Sequence, residues 1–235
     1  MLDRLLLRHL PDGARILDLC CGTGQLAAVL TQRGYRVTGL DSSGEMLRYA
    51  RENAPGAEFS VADARDFRLA DRVDAVICTH DSLNHILSVE ELGGAFRCAR
   101  AALAPGGRFL FDMNMPGRYP AGWTDSLGVV DDDYVCVVCG RYATAERLLR
   151  FDATVFALTA GSWRRGDVTV EERCYPEPDV RSALEAAGFV EIGAYDWKRD
   201  LQSEGEAGRT FFICSKPRFP SPLAGEGEGE GEAQQ

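Results

Sequence analysis

The chain has 235 residues, a hydrophobic fraction of 45% and a net charge of −10 at pH 7, the profile of one sizeable globular domain. That balance opposes nucleic acid as a partner, because polyphosphate binding needs a lysine and arginine surface. No apolar run approaches the ~20 residues of a bilayer span, and Met1-Leu2-Asp3-Arg4 opens no signal peptide, so a cytoplasmic protein with no membrane partner is expected.

Positions 15–19 read as a strand, 25–33 as a helix closed by Gly34, 36–40 as a second strand, 45–53 as a helix and 57–61 as extended chain. A strand at 73–78 leads to a helix at 89–103, which Ala104-Pro105-Gly106-Gly107 stops, and 107–113 is the next strand. This β-α alternation implies a parallel sheet with helices on both faces. From position 133 the rhythm changes. Runs at 133–143, 147–159 and 162–174 are strand-like with turn residues between them, an antiparallel meander inserted in the sheet domain. A helix at 177–187, closed by Gly188, and strands at 189–197 and 210–215 resume the α/β pattern. The expected organisation is a main domain of 1–116 and 176–217, an inserted β subdomain at 117–175 acting as a substrate lid, and a disordered Gly/Glu-rich tail at 218–235.

The cysteines sit mostly inside apolar runs, which fits reduced, buried thiols better than a disulfide scaffold. Cys136-Val137-Val138-Cys139 has knuckle spacing, yet no second pair completes four ligands and the two positions of a strand face opposite sides. Asp131-Asp132-Asp133 reads as a solvated turn, so no metal is expected.

The chemistry concentrates at the carboxyl ends of the first strands, where an open parallel sheet binds its ligands. Asp18-Leu19-Cys20-Cys21-Gly22-Thr23-Gly24 follows the first strand, Asp41 closes the second, and Asp63 follows the third. Asp41 stands where a carboxylate can accept both ribose hydroxyls, and Asp63 where one can accept an adenine amino group. Gly22-x-Gly24-x-x-Ala27 with Asp41 downstream also fits a dinucleotide fingerprint, so an NAD(P)-dependent reductase is the alternative enzyme. An acid heading the loop, however, repels a diphosphate and suits a sulfonium ligand with an amino-acid tail.

Together with Val37-Thr38-Gly39-Leu40-Asp41-Ser42-Ser43-Gly44-Glu45-Met46-Leu47, Ala62-Asp63-Ala64-Arg65, Asp74-Ala75-Val76-Ile77-Cys78 and Leu103-Ala104-Pro105-Gly106-Gly107, that loop resembles the class I methyltransferases. Asp81-Ser82-Leu83-Asn84-His85-Ile86, Phe111-Asp112-Met113-Asn114 and the meander are similar to bacterial small-molecule members of that family. The resemblance implies a Rossmann-like seven-stranded α/β sheet with an antiparallel last strand, S-adenosyl-L-methionine as cofactor, and methyl transfer to N or O of a small molecule. It places the methionine part on Asp18 and Gly22, the ribose on Asp41, and the adenine on Met46, Asp63 and Ala64, with Cys20, Gly24, Ser42 and Cys78 in the same cofactor-contacting set. Members usually have glycine where Cys20 stands and further helices ahead of the first strand. With only Met1 to Ala14 ahead of it here, either the natural start lies upstream or the pocket is more open, and a non-catalytic cofactor-binding protein is the second alternative.

Methyl transfer is an in-line displacement, so alignment and water exclusion dominate, and a base is needed only for an acceptor that enters protonated. After the fourth strand, His80 is the candidate base and Asp81 the acceptor-positioning residue; His85 reads as structural and His9 as surface. Asp112 and Asn114 reach the same edge, either touching the acceptor or capping the adjoining turn. Tyr134, Tyr142, Phe151, Phe156, Trp163 and Tyr175 of the meander either line an organic-substrate pocket or pack on the main domain, and exposed aromatics there also suit a homodimer interface.

Overall fold

Each apolar run that ends in an acid becomes a strand aimed at one edge of the molecule. In the computed structural model, which describes residues 1–202, 204 and 207–219, the main domain opens with α1 (Leu2–Leu5) and runs through β1 (Arg15–Leu19), α2 (Gln25–Gln32), β2 (Arg36–Asp41), α3 (Gly44–Asn53), β3 (Glu58–Val61), β4 (Val73–Cys78), α4 (Val89–Ala102) and β5 (Leu103–Asn114). Four strands follow, β6 (Thr124–Val130), β7 (Tyr134–Ala143), β8 (Leu148–Thr159) and β9 (Ser162–Arg173), before α5 (Glu177–Ala186), β10 (Val190–Asp196) and β11 (Arg209–Ser215). The main sheet has seven strands in the order β10-β11-β5-β4-β1-β2-β3, parallel except where β11 runs against β5 and β10. Strand order reverses between β1 and β4, so a crevice opens beyond their carboxyl ends.

Helices cover both faces, which is why β1 and β4 are almost wholly buried. On one face Phe96 of α4 meets Phe111 at 5.3 Å, and Phe111 stacks on Phe212 at 5.1 Å. On the other, Leu6, Leu7 and Leu30 close over Ile16, Ile77 and Leu110. Caps start the helices: Ser43 Oγ accepts from Met46 N at 3.2 Å, and Ser88 Oγ accepts from Glu91 N at 3.2 Å. Gly24 has φ 76° and lies so close to α3 that an added Cβ would come within 3.0 Å of Ala50. No helix among the described residues is long and apolar enough to cross a membrane.

The sheet architecture and the antiparallel last strand agree with the sequence reading, and three details differ. The helix expected at 89–103 ends at Ala102, because Leu103 already pairs with Val73 and the Ala104-Pro105-Gly106-Gly107 segment is carried as an irregularity within β5. The inserted sheet has four strands in the order β6-β7-β8-β9 and spans 124–173; β6 went unread because all seven of its residues are exposed, leaving no apolar period. The short N-terminal segment, given no structure from sequence, forms α1 and a 3-10 turn that bury Leu6 and Leu7. The tail at 220–235 lies outside the described residues.

Phe111 is fully buried between α4 and β11, so Phe111→Ala should cost about 3–5 kcal/mol of stability. Urea unfolding measures it, and a loss near 1 kcal/mol would mean that the aromatic stack does not organise this layer.

Candidate functional site

Beyond the ends of β1, β2 and β4 lies a cavity of about 610 Å³. Its floor is the turn from β1 into α2, which is folded by three left-handed residues, Cys20 (φ 59°), Gly22 (φ 53°) and Gly24 (φ 76°). Asp41 ties that turn to the next one. Its Oδ2 accepts from Gly22 N at 2.9 Å and its Oδ1 from Ser43 N at 2.9 Å. The carboxylate is thereby oriented, and its remaining lone pairs can accept a vicinal diol.

Asp18 is only 2% exposed, and its Oδ2 has no hydrogen-bond partner. Burial pushes its carboxyl up to about 7, opposed by a hydrogen bond from the Ala27 backbone. A buried acceptor left unpaired costs about 1–3 kcal/mol, and a cationic group entering the cavity would relieve that cost. Asp63 is held in another manner: Arg65 donates to it from its backbone N at 2.8 Å, Nε at 2.9 Å and Nη2 at 2.6 Å, which lowers its pKa. Met46, Ala62 and Ala64 supply the apolar part of the lining beside it. S-adenosyl-L-methionine fits this chemistry, with an ammonium and a sulfonium for Asp18, a ribose diol for Asp41 and an adenine for the Met46–Asp63–Ala64 corner. A dinucleotide's diphosphate would face three carboxylates instead.

Of the cofactor set read from sequence, Asp18, Cys20, Gly22, Asp41, Ser42, Met46, Asp63 and Ala64 line the cavity. Gly24 is absent from the lining because it is packed under α3, and Cys78 because it is buried behind Cys20. All eight cysteines are free; Cys136 and Cys139 sit on opposite faces of β7, and no metal-holding cluster occurs among the described residues.

The far wall follows β4. His80 (φ 63°) and Asp81 (φ 51°) are both left-handed, and buried Asp112 holds them there: its Oδ1 accepts from His80 N at 2.8 Å and its Oδ2 from Asp81 N at 3.1 Å. Asp112 therefore caps this turn, the second of the roles open to it. Burial raises the pKa of Asp112 while the Arg209 guanidinium, donating from Nε at 2.6 Å, pulls it down. Arg209 also donates to Asp81 Oδ1 at 2.9 Å, and Asn114 Nδ2 to Asp81 Oδ2 at 2.7 Å. Both Asp81 oxygens are engaged, and the residue is outside the lining, whereas His80, Ser82 and His85 are in it.

His85, read as structural, is a wall residue whose tautomer can be assigned. Its Nδ1 lies 3.2 Å from the Glu171 carbonyl oxygen, and a carbonyl only accepts, so Nδ1 carries a proton and Nε2 is the acceptor nitrogen of the neutral ring. Of the meander aromatics, Tyr142 and Tyr175 are buried, Tyr134, Phe156 and Trp163 are exposed, and none lines the cavity. Tyr142 packs instead on Tyr119, 5.5 Å away, at the foot of the inserted sheet.

A family model described as a methyltransferase domain matches residues 16–107. The chain is 28% identical to a putative methyltransferase, YqeM, of Bacillus subtilis (strain 168), over 89% of this chain and 87% of that protein. It is 32% identical, over 49% of each, to the dTDP-3-amino-3,4,6-trideoxy-alpha-D-glucopyranose N,N-dimethyltransferase of Streptomyces venezuelae. Its fold is similar to that of the sugar N-methyltransferase KedS8 from Streptoalloteichus sp ATCC 53650, with a TM-score of 0.74 and 26% identity over 87% of this chain and 81% of that one.

Asp18→Asn should stabilise the ligand-free protein at pH 8, by up to about 4 kcal/mol, since a carboxyl raised to about 7 loses its stabilising protonated form as pH rises through that value. The same change should weaken S-adenosylhomocysteine binding at least tenfold; unchanged calorimetric affinity would remove Asp18 from the site. Cys20→Gly should relax the left-handed turn and raise stability by about 1 kcal/mol, read from thermal unfolding.

Proposed function

We propose that this chain, which belongs to the class I S-adenosylmethionine-dependent methyltransferases, transfers the cofactor's methyl group to the nitrogen of a small-molecule amine. The observation that carries this reading is the acidic carboxyl edge of the sheet: Asp18, Asp41 and Asp63 line the cavity, and Asp81 and Asp112 stand behind its acceptor wall. Such an edge attracts a cationic cofactor and an amine that arrives as ammonium. The relatives that methylate amino sugars support nitrogen over oxygen. The methyltransferase domain match argues against the nicotinamide reading and the non-catalytic one.

Bound S-adenosylmethionine supplies a methyl group already activated by its sulfonium. The protein's residues do the rest by alignment. Asp18 and the Cys20–Thr23 turn hold the amino-acid end, Asp41 the ribose, and Met46, Asp63 and Ala64 the adenine. Ser82, His80 and His85 face the incoming amine, which must shed a proton before it can attack. His85 is the better-placed base, since the Glu171 carbonyl fixes a proton on Nδ1; among the described residues the His80 ring has Thr79 Oγ1 as its hydrogen-bond partner, at 3.3 Å. Asp81 acts one step removed, through the turn it shares with His80.

Eight free thiols favour a reducing compartment, the cytoplasm. In the inserted sheet, the register puts Leu127, Val138, Ala153 and Val168 in one row across four strands, and Val129, Cys136 and Val155 in the next. The opposite face carries Arg141, Arg150, Asp152 and Asp167. Leu127 is 62% exposed and Val168 54%, so the apolar face suits a second copy of the chain.

Steady-state kinetics on a panel of amino sugars and other small amines test the reaction. His85→Ala should lower kcat about 100-fold while S-adenosylhomocysteine affinity stays within twofold, whereas His80→Ala should cost far less. The reverse ranking would move the base to His80, and methylation of alcohols but no amine in such a panel would overturn the nitrogen reading. For assembly, light scattering should give a dimer, and Leu127→Asp a monomer that still binds the cofactor; a monomeric wild type would reject the interface.

A further inference from the structure

Three consecutive residues of β9 are tied to the loop that walls the acceptor side. The Glu171 carbonyl oxygen takes His85 Nδ1 at 3.2 Å, and the Arg173 carbonyl oxygen accepts from Asn84 Nδ2 at 2.7 Å. Between them, Glu172 Oε2 accepts from Asn114 Nδ2 at 3.1 Å. The same Nδ2 donates to Asp81 Oδ2 at 2.7 Å, so one amide group stands between two carboxyl groups. Its two hydrogens are both used, and nothing in the amide offsets a second negative charge. Asn114 is fully enclosed, and Glu172 is 5% exposed, so water screens this pair poorly.

The charged and titratable groups around Glu172 come from every neighbouring element. Asp81 and His85 face it from the loop after β4, Asn114 from β5, Tyr119 from the turn after β5 with Arg118 beside it, Cys174 from just past its own strand, and Arg209 from β11 through Asp81. Arg209 is already divided between Asp81 and Asp112. Burial, followed by the Asp81 carboxylate, pushes the Glu172 carboxyl up to about 7; Asn114 and His85 act in the other direction.

We propose that Glu172 is a proton-dependent positioning residue: protonated, it seats the inserted sheet on the Asp81–His85 wall and completes the acceptor subsite, and ionised, it repels Asp81 and loosens that seat. The proton is exchanged with solvent, and no covalent step is involved. Because the folded-state pKa is raised, the clasp is complete below the ordinary carboxylate range and is lost as pH rises through about 7. The link to acceptor binding rests on the function proposed above, whereas the clasp itself does not.

Amide hydrogen exchange on the full chain, corrected for intrinsic rates, tests the clasp at about pH 6 and about pH 8.5. Protection of β9 and of the 82–86 turn should fall roughly tenfold across that interval in the wild type, beyond any change in β1–β3. Glu172→Gln keeps the bond to Asn114 without the charge and should be flat. Asp81→Asn removes the opposing carboxylate and should reduce the fall without abolishing it, because burial still raises Glu172, which covers the case of a Glu172 variant that folds poorly. A wild-type profile without pH dependence, or a Glu172→Gln profile that keeps it, overturns the proposal. Acceptor KM should rise with pH in the wild type and not in Glu172→Gln, while cofactor affinity should follow the same pH profile in both, set by Asp18. Failure to bind S-adenosylhomocysteine at either pH would sink the methyltransferase reading and leave the exchange result standing.

Discussion

The site depends on one carboxylate that receives backbone amides from two different turns. Asp41 takes Gly22 N with one oxygen and Ser43 N with the other, which fixes the loop after β1 against the cap of α3. Together with the bond from Cys21 N to the Leu40 carbonyl oxygen at 3.0 Å, that bridge holds the left-handed sequence Cys20, Gly22, Gly24 against the second strand and sets the proposed ribose and methionine subsites side by side. The second wall repeats the device. Asp112 accepts two successive amides from a left-handed turn, with Arg209 behind it as counter-charge. In both places an acid from a strand end, half-buried at Asp41 and buried at Asp112, organises a loop from the neighbouring strand, and the catalytic edge inherits its shape from these two pairs of bonds.

That arrangement concentrates negative charge where the sheet ends, at a cost to the empty protein. Asp18 has an unpaired buried oxygen, and Glu172 faces Asp81 with only an amide between them. Each is a small defect in the ligand-free molecule. A cationic ligand removes the first, and a proton removes the second. Binding and protonation are thus built into the same edge, and the two act on opposite walls of one cavity.

The main sheet was legible in the sequence because helices cover both of its faces, so β1 and β4 appear as short continuous apolar runs punctuated by acids and glycine. The cofactor wall was legible for a related reason: its residues follow directly on strand ends, and chain order alone brings Asp18, Asp41 and Asp63 to one edge. The inserted sheet was partly legible. β7, β8 and β9 alternate well enough to be seen, whereas β6 pairs along one edge only and exposes every residue. The acceptor wall was least legible. His85 meets a carbonyl 86 positions away, and Arg209 reaches Asp81 across 128, distances over which local patterns carry no signal. The left-handed backbone at His80 and Asp81 was equally hidden: both residue types are enriched at φ > 0, but so few residues adopt it that the type alone does not mark the position.

The inserted sheet is attached to the main domain at its foot, where Tyr142, Leu149 and Cys174 pack with Tyr119 and Trp123. β8 and β9 are 12 residues each, so the sheet extends about 40 Å from end to end at ~3.3 Å per residue. A long sheet anchored at one end behaves as a lever. Any tilt at the foot is magnified at the distal turns in proportion to their distance from it, so holding the foot alone cannot hold the tip. The exposed apolar row through Leu127 and Val168 lies on the part that the foot does not steady. A second copy of the chain covering that row would brace the tip, and a protonated clasp would fix the foot. The two together would leave the acceptor wall with a single geometry, as in-line methyl transfer requires.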